Sequence, residues 1–406
     1  MGLLRRLTAV LSLLALCGMM GCAGFWVPVN NSNSSGNGGT ANDYVYVANA
    51  STQWMAGYAV GTGSLTAIAG SPFPLGFTPT AAVVNSANSI LFVSSSAGIY
   101  SYAIASNGVL SSLTSGITSG LNNVVSLAVS PDGNWLFALD GTSTANVVTV
   151  YEFSINSSTG ALSAVNSNSQ TYKGTYSIAA PVSTVVASPS QIAVASVSSG
   201  EYLFVALGTG GTLIIPFNTS TGVQAPAGTS VAQIRPPTGG PNSNYWADSA
   251  LAVNASTSVL YIVSSDTSSS NGVIAAYVIG SNGTQATLGT PASGATAFQP
   301  AAVAINTAGT DVYVANTAGD SISAFGTTAS GSSLPGLTGS PYPFGYAPTG
   351  LAVDNSGNYL LAIAQDGGPD LTMYSYGPAG QLIEAASINT GNGTEPAGAV
   401  AIAATH

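Results

Sequence analysis

The hydrophobic positions of this chain fall into short runs of strand length, and the runs recur in a fixed order. Each unit opens with a brief apolar strand, usually after Pro or Ser. A polar turn follows, then a second strand rich in aromatic and β-branched residues. A third strand carries a Tyr or Phe, and a weaker fourth ends the unit. First-strand cores occur seven times, as AAVV at Ala81, SLAV at Ser126, QIAV at Gln191, ALAV at Ala250, AVAI at Ala302, GLAV at Gly350 and AVAI at Ala399. Their second strands begin at Ile90, Trp135, Tyr202, Val259, Asp311 and Tyr359. The seventh first strand has nothing after it, whereas the repeat region opens on an orphan second strand, DYVYVAN at Asp43. Helical periodicity is absent outside the first 22 residues.

Circular closure accounts for both loose ends. The C-terminal strand becomes the first strand of the unit that the N-terminal strands complete, which removes exposed sheet edges. Residues 43–406 divided by seven give about 52 per unit, near the ~40–50 of a propeller blade. The pattern therefore predicts an all-β, seven-bladed β-propeller over residues 43–406. Aromatics such as Phe92, Phe137, Phe204 and Tyr313 are expected to pack between blades.

The segments before it read differently. Arg5 and Arg6 precede the apolar stretch Leu7 to Leu16, too short to span a bilayer, and then MMGC ends at Cys22. Residues 1–22 are read as a lipoprotein signal peptide, because Met19 to Cys22 resembles a bacterial lipobox whose Cys receives lipid. Residues 23–42 are a flexible polar tether. The expectation is an exported chain, anchored by lipid on Cys22 at a bacterial cell envelope, in the periplasm or on the outer surface.

Charge narrows the partners. Only 4% of residues are charged, against about a quarter in ordinary proteins. Beyond the signal, Lys173 and Arg235 are the only cationic residues, set against 14 acids. Nucleic acid requires clustered cations and is excluded as a partner. A monomer is expected.

DVYVANTAGDSISAF (Asp311 to Phe325) and YVYVANA (from Tyr44) resemble the YVTN-type propeller repeat. GSPFPLGFTPT from Gly70 and GSPYPFGYAPT from Gly339 join one blade to the next. Together these are similar to the seven-bladed lactonase family that includes bacterial 6-phosphogluconolactonase. The resemblance implies a propeller and, as one possible activity, lactone hydrolysis by His, Arg and acidic residues in the central funnel. This chain has a single His, the terminal His406, so the family's catalytic residues match no positions here. No Cys or His cluster suggests zinc, and GTGGT at Gly208 lacks the Lys and helix of a phosphate cradle. No cofactor is expected. QDGGPD at Gln365 is the nearest approach to a calcium loop.

In a propeller, the turns between second and third strands share a face with the inter-blade linkers. That face holds Asp140, Asp266, Asp320, Asp366 and Asp370. It also holds two long insertions, at about residues 166–189 and 225–249. Tyr172, Lys173 and Tyr176 lie in the first, and Arg235, Tyr245, Trp246 and Asp248 in the second. Aromatic faces beside a few polar groups suit sugar or peptide ligands. These seven residues are the expected ligand site of a binding module for an extracellular glycan or protein. The alternatives are a lactonase and a structural surface protein.

Overall fold

A computed structural model describes residues 39–113, 121, 123–142, 147–165, 174–177, 188–224, 232–234, 246–267, 269–280, 285–286, 292–327 and 333–406. Cys22, Tyr172, Lys173, Arg235 and Tyr245 lie outside the described residues, as do the proposed signal and nearly all of the tether.

Seven antiparallel sheets form the seven blades. Their inner strands are Ala399–Ala404, Ala81–Val84, Val124–Val129, Gln191–Val197, Trp246–Asn254, Pro300–Ile305 and Pro348–Val353. These coincide with the seven apolar cores read from the sequence. Blades are numbered here from the closing one, which joins Ala399–Ala404 to Gly39–Asn49, Trp54–Gly61 and Ser64–Ala67. Val47 opposes Ile402 and Ala48 opposes Ala401, so the two ends of the repeat region meet within one sheet as expected.

The apolar residues form seven clusters, each spanning two neighbouring blades. Phe137 of blade 3 packs among Ile192, Leu203 and Val205 of blade 4. Phe204 of blade 4 packs among Leu251 and Leu260 of blade 5. The last slab sets Leu361 and Ile363 of blade 7 against Val45 and Val47 of blade 1. Second strands supply the largest share of this core because both their faces are covered, so they carry unbroken apolar runs instead of alternating ones. Phe92, Phe137, Phe204 and Tyr313 are all fully buried. Where the middle residue is Tyr, its hydroxyl reaches the next blade. Tyr46 donates to the Gly108 carbonyl at 2.7 Å, and Tyr313 to the Gly380 carbonyl at 2.7 Å.

The outer strands depart from the simple repeat. In four blades the fourth strand is broken into two pieces paired to the same third strand. In blade 3, Leu162–Ala164 pairs with one end of Val147–Ile155 and Gly174–Ser177 with the other. In blade 4, Val223–Gln224 and Ala232–Ile234 divide the edge in the same way. The two long insertions thus contribute edge strands as well as loops.

Candidate functional site

The inner strands surround a central channel, and the polar groups on its wall are uncharged. Thr80, Ser126, Ser190, Gln191, Ser249 and Thr349 line it among small apolar residues. Inner strands of adjacent blades do not pair as a ladder, so their edge backbone groups need other partners. Side chains supply several. Gln191 Oε1 accepts from the Leu251 amide at 2.7 Å, Ser126 Oγ from the Ile192 amide at 3.2 Å, and Thr349 Oγ1 donates to the Ala399 carbonyl at 2.9 Å.

At the top face, where second strands turn into third strands, the channel opens beside a cavity of about 620 Å³ between blades 5 and 6. Its walls include Ser249, Ser265, Asp266, Ser270, Gln299 and Thr317. The Asp266 carbonyl accepts from the Ser270 amide at 2.9 Å, and its Oδ1 faces the Ser269 amide at 3.3 Å, which holds the turn that presents the carboxylate. Gln299 Nε2 lies 3.3 Å from Ser270 Oγ across the rim. The described residues contain no Lys or Arg, and His406 is their only His. Asp266 is therefore the only charged side chain among the described lining residues of this cavity.

The residues expected to bind ligand separate into different environments. Trp246 begins the inner strand of blade 5, partly exposed, and pairs in register with Asp266 at the cavity. Side chains at paired positions share a sheet face, with Cβ atoms ~4.5–5.5 Å apart. Asp248, two residues on, is 1% exposed. Its Oδ2 accepts from Thr212 Oγ1 of blade 4 at 2.8 Å and its Oδ1 from Ser264 Oγ at 2.7 Å. Burial pushes its carboxyl up to about 7, and the two hydroxyl donors only partly offset this. Asp248 thus joins blades 4 and 5 and is closed to solvent. Its backbone also exchanges two 3.0 Å hydrogen bonds with Gly208. Gly208 has φ +59°, and a Cβ there would come within 2.9 Å of Ser188 Cβ, so this Gly-rich loop is a blade junction. Tyr176 belongs to the outer strand of blade 3, opposite Val148 in register.

The other acidic residues of the face are spread around the ring. Asp140 accepts from the Tyr151 hydroxyl at 3.0 Å, Asp320 from the Ala347 amide at 2.9 Å, and Asp370 from the Thr390 amide at 2.5 Å. Among the described residues no three His, Cys, Asp or Glu side chains gather to hold a metal ion, QDGGPD included. His406 sits at the opposite end of the channel from the cavity, its amide donating to Asn88 Oδ1 at 3.0 Å.

The fold defines a class, the seven-bladed β-propeller. Residues 282–394 match the family described as "Lactonase, 7-bladed beta-propeller", and this match with the blade count shows the likeness to lactonase-type propellers that the repeats suggested. Solved structures agree on the architecture. The periplasmic gluconolactonase of Pseudomonas aeruginosa superposes with TM-score 0.65 at 16% identity, covering 90% of this chain and 99% of that one. A functionally unknown protein from Desulfotomaculum acetoxidans gives 0.59 at 12% identity, over 90% and 99%. A protein from Bacteroides uniformis described as a putative 6-phosphogluconolactonase gives 0.52 at 18%, over 76% and 82%. At these identities the likeness concerns the fold. No curated protein matches the chain by sequence.

Proposed function

We propose that this chain is an envelope lipoprotein, lipidated at Cys22, that hydrolyses an unphosphorylated sugar lactone in the cavity between blades 5 and 6. The observation that carries this reading is a hydroxyl- and amide-lined cavity with one carboxylate, Asp266, among its described lining residues. The lactonase-family match spans the blade 6 wall of that cavity, including Gln299 and Thr317. Two of the solved relatives carry gluconolactonase names, which supports a lactone as the ligand class. A phosphorylated substrate calls for Arg or Lys, and beyond the first 22 residues the chain has only Lys173 and Arg235.

In this mechanism Asp266 takes a proton from water as the water oxygen bonds to the lactone carbonyl carbon. Hydroxyl and amide donors of Ser270 and Gln299 hold the developing oxyanion. The ring carbon–oxygen bond then breaks, and the departing alkoxide receives the proton from Asp266, giving the open hydroxy acid. The test is turnover of glucono-δ-lactone and 6-phosphogluconolactone by the purified chain. Turnover of the unphosphorylated lactone is expected, reduced about 10²–10⁴-fold in Asp266→Asn. Rates equal to the uncatalysed reaction on both lactones would sink this reading.

A second reading, binding without turnover at the same mouth, is favoured by the chain's single His, His406, sitting against Asn88 away from the cavity. It keeps the site and removes only the chemistry.

A further inference from the structure

One linker position recurs around the top face with an aromatic residue. Five blades bulge near the start of the inner strand, after a residue paired close to the end of the second strand, and blades 5, 6 and 7 carry an aromatic two residues before it whereas blades 1 and 3 do not. Asp248 pairs with Ser264, Pro300 with Asn316 and Pro348 with Ala364, and each time the register then shifts. Two residues before each of these stand Trp246, Phe298 and Tyr346. The two matching linkers GSPFPLGFTPT and GSPYPFGYAPT place Phe77 at the same position ahead of blade 2. Trp246 and Phe77 are partly exposed, and the other two rings stand at the surface. Phe298 is 50% exposed and Tyr346 64%, and they are two of the three large exposed hydrophobic side chains among the described residues.

Ahead of blades 5 and 6 the position adjoins the cavity. Trp246 is in register with Asp266, and its neighbour Ala247 lines the wall. Phe298 is in register with Asn271, beside the rim residue Ser270, and precedes Gln299 on the same wall. Phe77 lies flat against Tyr100, with ring centroids 3.9 Å apart and planes 11° apart. Flat apolar rings beside hydroxyl and amide groups match one ligand chemistry well. A sugar ring offers a C–H face to an aromatic plane and hydroxyls to Ser, Thr and Gln.

We propose that Trp246, Phe298 and Tyr346 form an arc of stacking platforms for a neutral saccharide of two or more rings, whose terminal unit enters the cavity between blades 5 and 6. This rests on the reading of that cavity as the ligand site and adds the substrate class, an uncharged oligosaccharide or its terminal lactone. Lys173 and Arg235 are the only Lys or Arg beyond the first 22 residues, too few for the clustered cations that an anionic chain calls for.

The test is calorimetric titration of the full chain with cellohexaose, maltohexaose, xylohexaose and chitohexaose, with hexagalacturonate as the charged counterpart. At least one neutral hexamer is expected to bind, and more tightly than its monosaccharide. Trp246→Ala and Phe298→Ala should each weaken it about tenfold, and Tyr346→Ala by less. Ile383→Ala, which removes the third exposed hydrophobic residue, should leave binding unchanged. Thermal melts of each variant separate lost contacts from lost folding. The arc is overturned if no neutral hexamer binds, if hexagalacturonate alone binds, or if binding ignores all three aromatic substitutions in folded protein. Lactone turnover without hexamer binding would remove this inference and leave the catalytic reading standing. Hexamer binding without lactone turnover would do the reverse.

Discussion

Blades 1 and 6 are built from nearly the same words, YVYVAN and DVYVAN, yet the chain makes them in different ways. Both place a Tyr in the middle of the second strand, and both Tyr hydroxyls donate at 2.7 Å to a glycine carbonyl of the following blade. In blade 6 the first and second strands are joined by the short turn Asn306 to Thr310, where the Gly309 amide donates to the Asn306 carbonyl at 2.8 Å. In blade 1 the partner strand arrives from the far end of the chain. Thr405 stands in for the missing turn. Its amide donates to the Tyr44 carbonyl at 2.9 Å, and its Oγ1 accepts from the Tyr44 amide at 2.8 Å. Closing a loop of roughly 350 residues instead of roughly ten costs about five doublings, or ~3 kcal/mol of chain entropy. Equal contacts in the two blades therefore carry unequal duties. Those of blade 6 finish a local hairpin, and those of blade 1 hold the ring shut.

The largest expected effect tests that distinction directly. Removing residues 399–406 strips the inner strand from blade 1 and exposes the edges of Val45 and Val47, which are fully buried in the intact ring. The truncated chain should show no cooperative unfolding transition by calorimetry. A cooperative melt within a few degrees of the full chain would mean that closure is not what holds the ring.

Next in size are matched cavities in the two blades. Met55 and Ile322 occupy corresponding third-strand positions, opposite Ala48 and Ala315, and both are fully buried. Met55→Ala and Ile322→Ala should each cost ~2–5 kcal/mol in denaturant unfolding. Near-equal losses indicate that the closing blade is as well packed as a contiguous one. A Met55→Ala loss below ~1 kcal/mol would break the equivalence.

The smallest expected effect concerns the junction of blades 4 and 5, where the connection is covalent and a buried acid does the joining. The Asp248 carboxyl is raised to about 7 by burial, above its ordinary value of 3.8. The folded state therefore holds a proton that the unfolded chain releases, and stability falls as pH rises from about 4 to about 7. Asp248→Asn keeps a neutral group among the same hydroxyls. It should flatten the dependence of the melting temperature between pH 4 and pH 8, with its advantage over the wild type greatest at pH 8. A variant whose melting temperature tracked the wild type across this range would assign the pH response to another group.

Much of the architecture was legible because the relevant signals are local and repeated. Seven apolar inner strands, the second strands after them and the buried aromatics at Phe92, Phe137, Phe204 and Tyr313 all lie where the pattern put them. The candidate site was less legible. In the sequence Trp246 reads as an aromatic in an insertion, but its pairing with Asp266 depends on how far the inner strand extends beyond its apolar core. Asp248 looked like a ligand contact because a buried carboxylate and an exposed one are the same letter, and only Thr212 and Ser264 distinguish them. In the sequence Phe298 reads as an ordinary hydrophobic residue. Only the bulges mark it, since it stands two residues before Pro300 as Tyr346 stands before Pro348.

By itself, the order of apolar and polar residues determined the number of blades, their succession and the need to close the ring with the last strand. Hydrophobic burial and strand period act over a few neighbours and repeat in every unit. Only the tertiary structure decided which polar groups of that ring are spent on holding blades together and which face the cavity. That depends on residues such as Gly208 and Asp248, or Trp246 and Asp266, meeting across strands, where sequence distance carries no information about contact.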